Sequence, residues 1–287
     1  MTGMLLVGIV CALAASLLFY VGIALQALEA RKAPRGRGLR LSLLELLLRK
    51  PLWVLGLLLG LLGVLPQIVA LATAPFVVVQ PLLAVGLLLL LFLGSRIFDE
   101  RVALPEWLAA LAIIGGVVLV SIGVPPHSET HRGGAAVVGV VAVLSVPALL
   151  PLLRVRPLTA RYVVLVACGL GFAATNVAVK LLGDDVGLGH WPNAVAWAVV
   201  AGIDGIAATV TNMTAFQMLR ATVVVPVSTA VQTFFPIALE PLFLRERSPS
   251  TLEALALAGG LALSLAGTVQ LARTEAVSGV VAGSSRT

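Results

Sequence analysis

Apolar positions run along this chain in nine long stretches, at roughly 4–26, 52–73, 75–95, 105–124, 135–153, 162–182, 193–218, 221–244 and 251–272. Each approaches the roughly 20 residues that a helix needs to cross about 30 Å of hydrocarbon. Backbone groups left unpaired in lipid are costly, so runs of this kind are helical. Strands of a membrane barrel would alternate apolar and polar residues over shorter lengths, and no stretch does so. The pattern therefore predicts an all-α integral membrane protein with about nine transmembrane helices. The second and third stretches are divided only by Thr73, Ala74 and Pro75, and the seventh and eighth meet at Leu219, Arg220 and Ala221. The run from Leu41 to Leu48 is short, contains Glu45 and is flanked by Arg40, Arg49 and Lys50. It reads as an interfacial amphipathic helix, with a short tenth span as the alternative. The first run has no basic start and continues past the small residues Ala12 to Ser16, so it is expected to remain as a helix rather than be removed as a signal peptide.

Composition agrees with a membrane setting. Hydrophobic residues make up 60% of the chain and charged residues 11%, with a mean hydropathy of +1.09. Soluble domains average about 45–50% apolar and about 25% charged. A soluble enzyme, a disordered chain and a nucleic-acid-binding domain are thereby disfavoured. The net charge of +6 comes from basic residues in short loops, a topology signal rather than a phosphate footprint. Segment 28–51 holds Arg31, Lys32, Arg35, Arg37, Arg40, Arg49 and Lys50. With that segment cytoplasmic, alternation of nine spans puts fifteen basic residues inside, and only Arg132, Arg245 and Arg247 outside, with Lys180 within a span. The expectation is a multi-pass cell-membrane protein with its N-terminus outside and its C-terminus cytoplasmic. Asp184 and Asp185 are expected in an outer loop. Cys11 and Cys168 both lie in apolar runs and suggest no metal site.

Two stretches resemble each other. Val77–Val79 corresponds to Val223–Val225 and Glu100-Arg101 to Glu246-Arg247 at one spacing, and with two residues fewer Gly115-Gly116 aligns with Gly259-Gly260. Gly22 to Gln26 resembles Asn176 to Lys180 more weakly. The matches predict that spans one to four recur as six to nine, with the fifth between them. A shift of five spans turns one copy over, and inverted repeats recur in secondary transporters. The expected organisation is a first repeat over 1–134 that includes the basic loop 28–51, a linking helix over 135–160, a second repeat over 161–272, and a disordered tail over 273–287.

Polar residues inside spans are the functional candidates, because lipid-facing polar groups are costly. The seventh span carries Asp204 near its middle, with Thr211 and Asn212 on the same face seven and eight residues on. An acid at that depth is suited to exchanging protons or meeting a cation. The eighth span carries Ser228, Gln232 and Glu240, and is interrupted by Pro226, Pro236 and Pro241, whose freed carbonyls can bind ions or permit bending. The sixth carries Asn176 and Lys180 on one face, with snorkelling as the plain reading of the lysine. Tyr20 and Gln80 are the counterparts in the first repeat. Glu106 and Glu253 begin helices, where a negative charge suits the dipole. His127, His131 and His190 lack metal-ligand spacing, no catalytic constellation is visible, and no nucleotide-binding segment follows Gly169-Leu-Gly171.

The stretch Ala70–Glu100 with Ala74-Pro75 and Val79-Gln80-Pro81, the stretch Gly171–Lys180, and Thr211-Asn212 leading to Val225-Pro226 resemble the drug/metabolite transporter superfamily, most closely its NIPA-type magnesium transporters and their bacterial EamA-like relatives. The resemblance covers nearly all of 4–272. It implies two inverted halves around a central site, alternating access, no cofactor and no covalent chemistry. Leu25-Gln26-Ala27 stands where the eukaryotic NIPA pattern has a run of lysines. The expected function is a carrier of a small organic metabolite or drug-like solute coupled to an ion gradient. The alternatives are a Mg²⁺ or divalent-cation transporter using Asp204, a lipid-linked carrier or flippase, and a non-transporting membrane scaffold. The expected partners are the solute or ion and the bilayer, with no nucleic acid, in a monomer or homodimer.

Overall fold

The computed structural model describes residues 2–74, 76–97, 102–123, 134–155, 159–243 and 250–284. Among them are α1 (Thr2–Lys32), α2 (Leu41–Leu48), α3 (Pro51–Thr73), α4 (Phe76–Ala84), α5 (Gly86–Ile97), α6 (Leu104–Gly123), α7 (Gly134–Leu149), α8 (Arg161–Gly187), α9 (Trp191–Met218), α10 (Ala221–Phe243) and α11 (Thr251–Ser284). Short 3₁₀ turns lie at Arg35–Arg37 and Leu150–Leu153, and no strand occurs among the described residues. Among the described residues, six helical segments are long and apolar enough to cross a membrane: Met4–Lys32, Pro51–Ala70, Leu104–Gly123, Arg161–Gly187, Trp191–Met218 and Thr251–Leu271. Pro81–Arg96, Val137–Leu153 and Ala221–Pro236 are shorter apolar helices over the described residues. Leu58, Leu61, Leu62 and Leu65 stand exposed on one helix. Water would leave such a surface uncovered, whereas lipid tails solvate it. The chain is an all-α membrane protein.

Local chemistry explains the boundaries. α3 opens with Pro51, whose missing N–H would have had no partner in a first turn anyway. It stops at an extended Ala74, the conformation that a following proline imposes. At α11, Ser250 N–H donates to Glu253 Oε2 at 2.6 Å, and Glu253 N–H donates to Ser250 Oγ at 3.3 Å. This reciprocal cap satisfies two otherwise unpaired donors. It also gives Glu253 the helix-starting role expected of it.

Four features differ from the pattern-based reading. The third apolar stretch is divided into α4 and α5 around Val85. The Ser16 hydroxyl on α1 donates to the Leu83 carbonyl at 2.8 Å, and Gly86 lies against the Tyr20 ring. A neighbouring helix thus takes over a carbonyl of the broken ladder, which is how helix breaks are tolerated in membranes. α2 has only eight residues, about 12 Å of rise, so it is not a tenth span. Its Leu43 and Leu47 are fully buried against a core that includes Trp53 and Phe216. α8 runs on to Gly187, which places Asp184 and Asp185 in its last turns instead of a loop. α11 continues to Ser284, where the tail was expected to lack regular structure. Residues 273–284 contain no proline to end it, and extending an existing helix is far easier than nucleating one.

The most extensive packing joins α1 to α3, α6 to α11 and α8 to α9; α1 also meets α4 and α5, and α8 meets α10 and α7. Small residues permit the closest approaches. A methyl group built on Gly116 would lie 2.6 Å from the Gly260 carbonyl oxygen, and one built on Gly260 would lie 2.7 Å from the Gly116 oxygen. Gly123 meets the Glu253 carbonyl and Leu257, while Gly267 meets the Ala109 carbonyl and Ile113, so α6 and α11 cross antiparallel. Gly116→Ala and Gly260→Ala should each destabilise the protein by about 1–3 kcal/mol through overpacking. Their reciprocal geometry predicts nearly equal losses, checked by thermal unfolding in detergent. Tolerance of either alanine would show that the helices separate freely there.

Candidate functional site

A cavity of about 690 Å³ lies among α7, α8 and α9. Its walls are mostly apolar, with Val137, Val141, Leu181, Val200 and Ile203 among them; its polar groups are Ser145, Asp185, Asn193 and Asp204, together with Trp197. Asn193 and Asp204 are eleven residues apart on α9, so the cavity extends about 16 Å along that helix, from its first turn to its middle. Asp204 is only 2% exposed. Its Oδ2 accepts a hydrogen bond from the Ser145 hydroxyl at 2.7 Å, whereas its Oδ1 has no partner among the described residues. A buried polar atom left unpaired in an apolar setting is unfavourable. At the other end, Asp185 lies 3.3 Å from His190 Nδ1.

The other candidates with described side chains do not converge on this cavity. Thr211 is fully buried and donates to the Ala207 carbonyl at 2.7 Å, back along its own helix. Asn212 is half-buried, and its Oδ1 is also unpaired among the described residues. Asn176 is exposed. Lys180 lies 3.4 Å from Asp184 one turn on, both about one-third exposed, which matches its plain reading as a lysine near a helix end. Ser228 is buried and donates to the Val225 carbonyl at 3.1 Å, and Gln232 is half-buried. Tyr20 is buried against Gly86, between α1 and α5. Gln80 lies on α4 and Glu240 on α10, with their side chains outside the described ones. Of the eight candidates whose side chains are described, Asp204 is the one that lines the cavity.

Sequence reasoning passed over Ser145, Asp185, Asn193 and Trp197. Ser145 sits in the stretch read as a mere linker between repeats. Its signal was present: it is the single hydroxyl in the run Val137 to Leu153. Asp185 falls where the sequence pattern predicts a loop, and that stretch is the end of α8. Ser145→Ala would deprive Asp204 of its one described partner. Loss of a buried hydrogen bond of this kind should cost about 1–3 kcal/mol, measured by thermal unfolding, and Ser145→Thr should recover most of it.

A second ionic contact reaches across the chain. Arg220 Nη2 pairs with Glu106 Oε1, with side-chain exposures of 16% and 3%. Glu106 Oε2 also accepts the Ala103 N–H. The carboxylate therefore both starts α6 and holds the α9–α10 turn, a long-range role beyond the helix-starting one expected of it. Nearby, Leu39 N–H donates to Thr214 Oγ1 at 2.9 Å, Gln217 Nε2 to the Ala33 carbonyl at 3.3 Å, and Trp53 Nε1 to Met213 Sδ at 3.2 Å. All four contacts tie the first half of the chain to the end of α9. Comparison with known proteins identifies no relative: no family model, curated protein or solved structure matches the chain.

Proposed function

We propose that this protein is a secondary-active transporter of the drug/metabolite transporter type, moving a small organic solute by alternating access with coupling to an ion gradient. The observation that carries this reading is the apolar cavity of about 690 Å³ ending on the half-paired carboxylate of Asp204 at the middle of a membrane helix. Intramembrane acids facing cavities mark ion and substrate pathways. An apolar wall suits the body of an organic solute, and the acid offers a group that can exchange a proton.

The packing supports two inverted repeats within nine spans. The offset that carries Gly116 to Gly260 also carries Gly123 to Gly267 and Ala109 to Glu253. It exchanges the Gly123–Glu253 contact with the Gly267–Ala109 contact, and likewise Gly123–Leu257 with Gly267–Ile113. An antiparallel crossing produces such exchanged pairs by itself; what supports the repeat is that the matched glycines Gly116 and Gly260 meet each other at its centre. The packing of α1 on α3 and α4–α5 has its counterpart in α8 on α9 and α10. The basic-residue bias supports the cell membrane, an outer N-terminus and a cytoplasmic C-terminus.

The donor set favours an organic solute over Mg²⁺ as cargo. Mg²⁺ demands octahedral oxygen ligation and gives up water reluctantly. The described residues bring no three His, Cys, Asp or Glu side chains together, and the cavity's two carboxylates lie at opposite ends. The test is transport into proteoliposomes enclosing a pH-sensitive dye, challenged with panels of organic amines, organic acids and neutral solutes, and separately with Mg²⁺. Solute-dependent proton movement above that of empty liposomes is the expected result. Mg²⁺ entry without a response to organic solutes would transfer the reading to the divalent cation, and silence from folded protein in both assays would overturn transport.

A further inference from the structure

Away from the Asp204 cavity, a second one of about 280 Å³ opens at the ends of α1 and α9, lined by Arg31, Arg35, Phe216, Gln217, Met218, Leu219 and Arg220. Among the described residues, three guanidinium groups share its wall and no carboxylate does, while Arg31 and Arg220 also have partners within the protein, Glu106 for the latter. One or two arginines here would need no explanation, because a positive charge suits a helix C-terminus. Arg31 sits in the last turn of α1 and Arg220 just past the end of α9. Arg35 belongs to the basic segment 28–51 and lies beyond the helix, in the 3₁₀ turn Arg35–Arg37, and it lines the same space.

The wall is also held in place. Arg220 is largely buried and fixed by Glu106. Gln217 is tied to the Ala33 carbonyl and Thr214 to the Leu39 N–H, so the turn that carries Arg35 is pinned at both ends to α9. Arginines projecting from separate elements around a prebuilt cavity make a receptor for an oxyanion with several acceptor oxygens. Guanidinium groups bind phosphate through paired N–H donors, more directionally than an ammonium can. The position adds to the argument: the cavity lies at helix ends, and Met218 provides an exposed apolar border. Basic pockets of this type between membrane helices accept anionic headgroups.

We propose that the Arg31–Arg35–Arg220 cavity binds a phosphate-bearing anion, which bridges the end of α1 and its following turn to the α9–α10 turn. A lipid phosphodiester and free phosphate present the same oxygens, and the experiment separates them. The full-length protein is purified into micelles containing equal phosphatidylcholine and phosphatidylglycerol, and retained lipid is read by native mass spectrometry. In parallel, inorganic phosphate is titrated against the melting temperature in phosphatidylcholine alone. Arg31→Gln/Arg35→Gln is the test variant and Arg37→Gln, which is exposed and outside the cavity wall, is the control.

If the ligand is a lipid, the native protein and Arg37→Gln retain phosphatidylglycerol over phosphatidylcholine by at least about tenfold, and the double variant loses that preference. If the ligand is free phosphate, lipid retention shows no preference, but phosphate raises the melting temperature saturably in the native protein and not in the double variant. Absence of both effects overturns the site, as does a double variant that binds like the native protein. Should the double variant fail to fold, Arg35→Gln alone decides the matter. Arg35 is exposed, so its replacement spares the fold, and unchanged binding by that single variant also overturns the proposal.

Discussion

Asp204→Asn is expected to abolish the proposed solute-coupled proton movement while leaving the protein folded. The amide is nearly isosteric with the carboxylate, and its oxygen still accepts the Ser145 hydroxyl bond that Oδ2 accepts at 2.7 Å. The substitution removes the ionisable group and little else. In proteoliposomes, uptake by this variant falls to the level of empty vesicles, at least about tenfold below the native protein, which is about 1.4 kcal/mol or more of lost coupling. The melting temperature stays within a few degrees, because no volume changes in a site that is 2% exposed. The comparison separates a functional acid from a structural one. Native rates in Asp204→Asn would remove Asp204 from the transport reading, and unfolding of the variant would recast it as a structural hydrogen-bonding group. Asp204→Glu adds a methylene to a nearly closed site. It retains proton exchange but disturbs the Ser145 contact, so intermediate activity is expected.

Arg220→Gln carries the largest expected effect on stability. It leaves the Glu106 carboxylate, whose side chain is 3% exposed, without its arginine. Removing one member of a buried ion pair typically costs about 3–5 kcal/mol, because the remaining charge is stranded away from water. Glu106→Gln in the same background relieves the stranded charge, and the two amides can bond to each other. The double variant should therefore recover much of the loss, as measured by denaturant or thermal unfolding in detergent. Equal instability of single and double variants would show that the arginine acts through other partners. The pair also joins the start of α6 to the turn between α9 and α10. Loosening it should raise the accessibility of a cysteine placed at Thr214, a residue now 1% exposed at the same end of the bundle.

Much of this architecture is written in short-range pattern. Apolar runs of helix length, separated by Pro75 and Arg220 and bounded by caps such as Ser250–Glu253, specify helices wherever the chain is placed in lipid. The matched Gly115-Gly116 and Gly259-Gly260 pairs mark a close contact before any coordinates exist, because only glycine lets two backbones meet. Asp204 was equally legible, since an acid in the middle of an apolar helix has few plain explanations.

The cavity itself was not legible, and the reason is geometric. Helical spacing ranks residues by face but does not say which helix the face meets. Thr211 and Asn212 share a face with Asp204 in the one-dimensional pattern, yet Thr211 is consumed by the Ala207 carbonyl and only Asp204 reaches the cavity. Ser145, fifty-nine positions earlier, supplies the actual partner. In the same way, Glu106 reads as a helix start until its second oxygen is found on Arg220, one hundred and fourteen positions away. By itself the sequence determined the membrane setting and the presence of the long helices, because these follow from hydropathy and from backbone hydrogen bonding within a few residues, whereas the break around Val85 and the ends of α8 and α11 did not show in it. The partner of Asp204, the walls of both cavities and the ionic tie between the two halves were decided only by tertiary packing, because each joins side chains that are neighbours in space and remote in the chain.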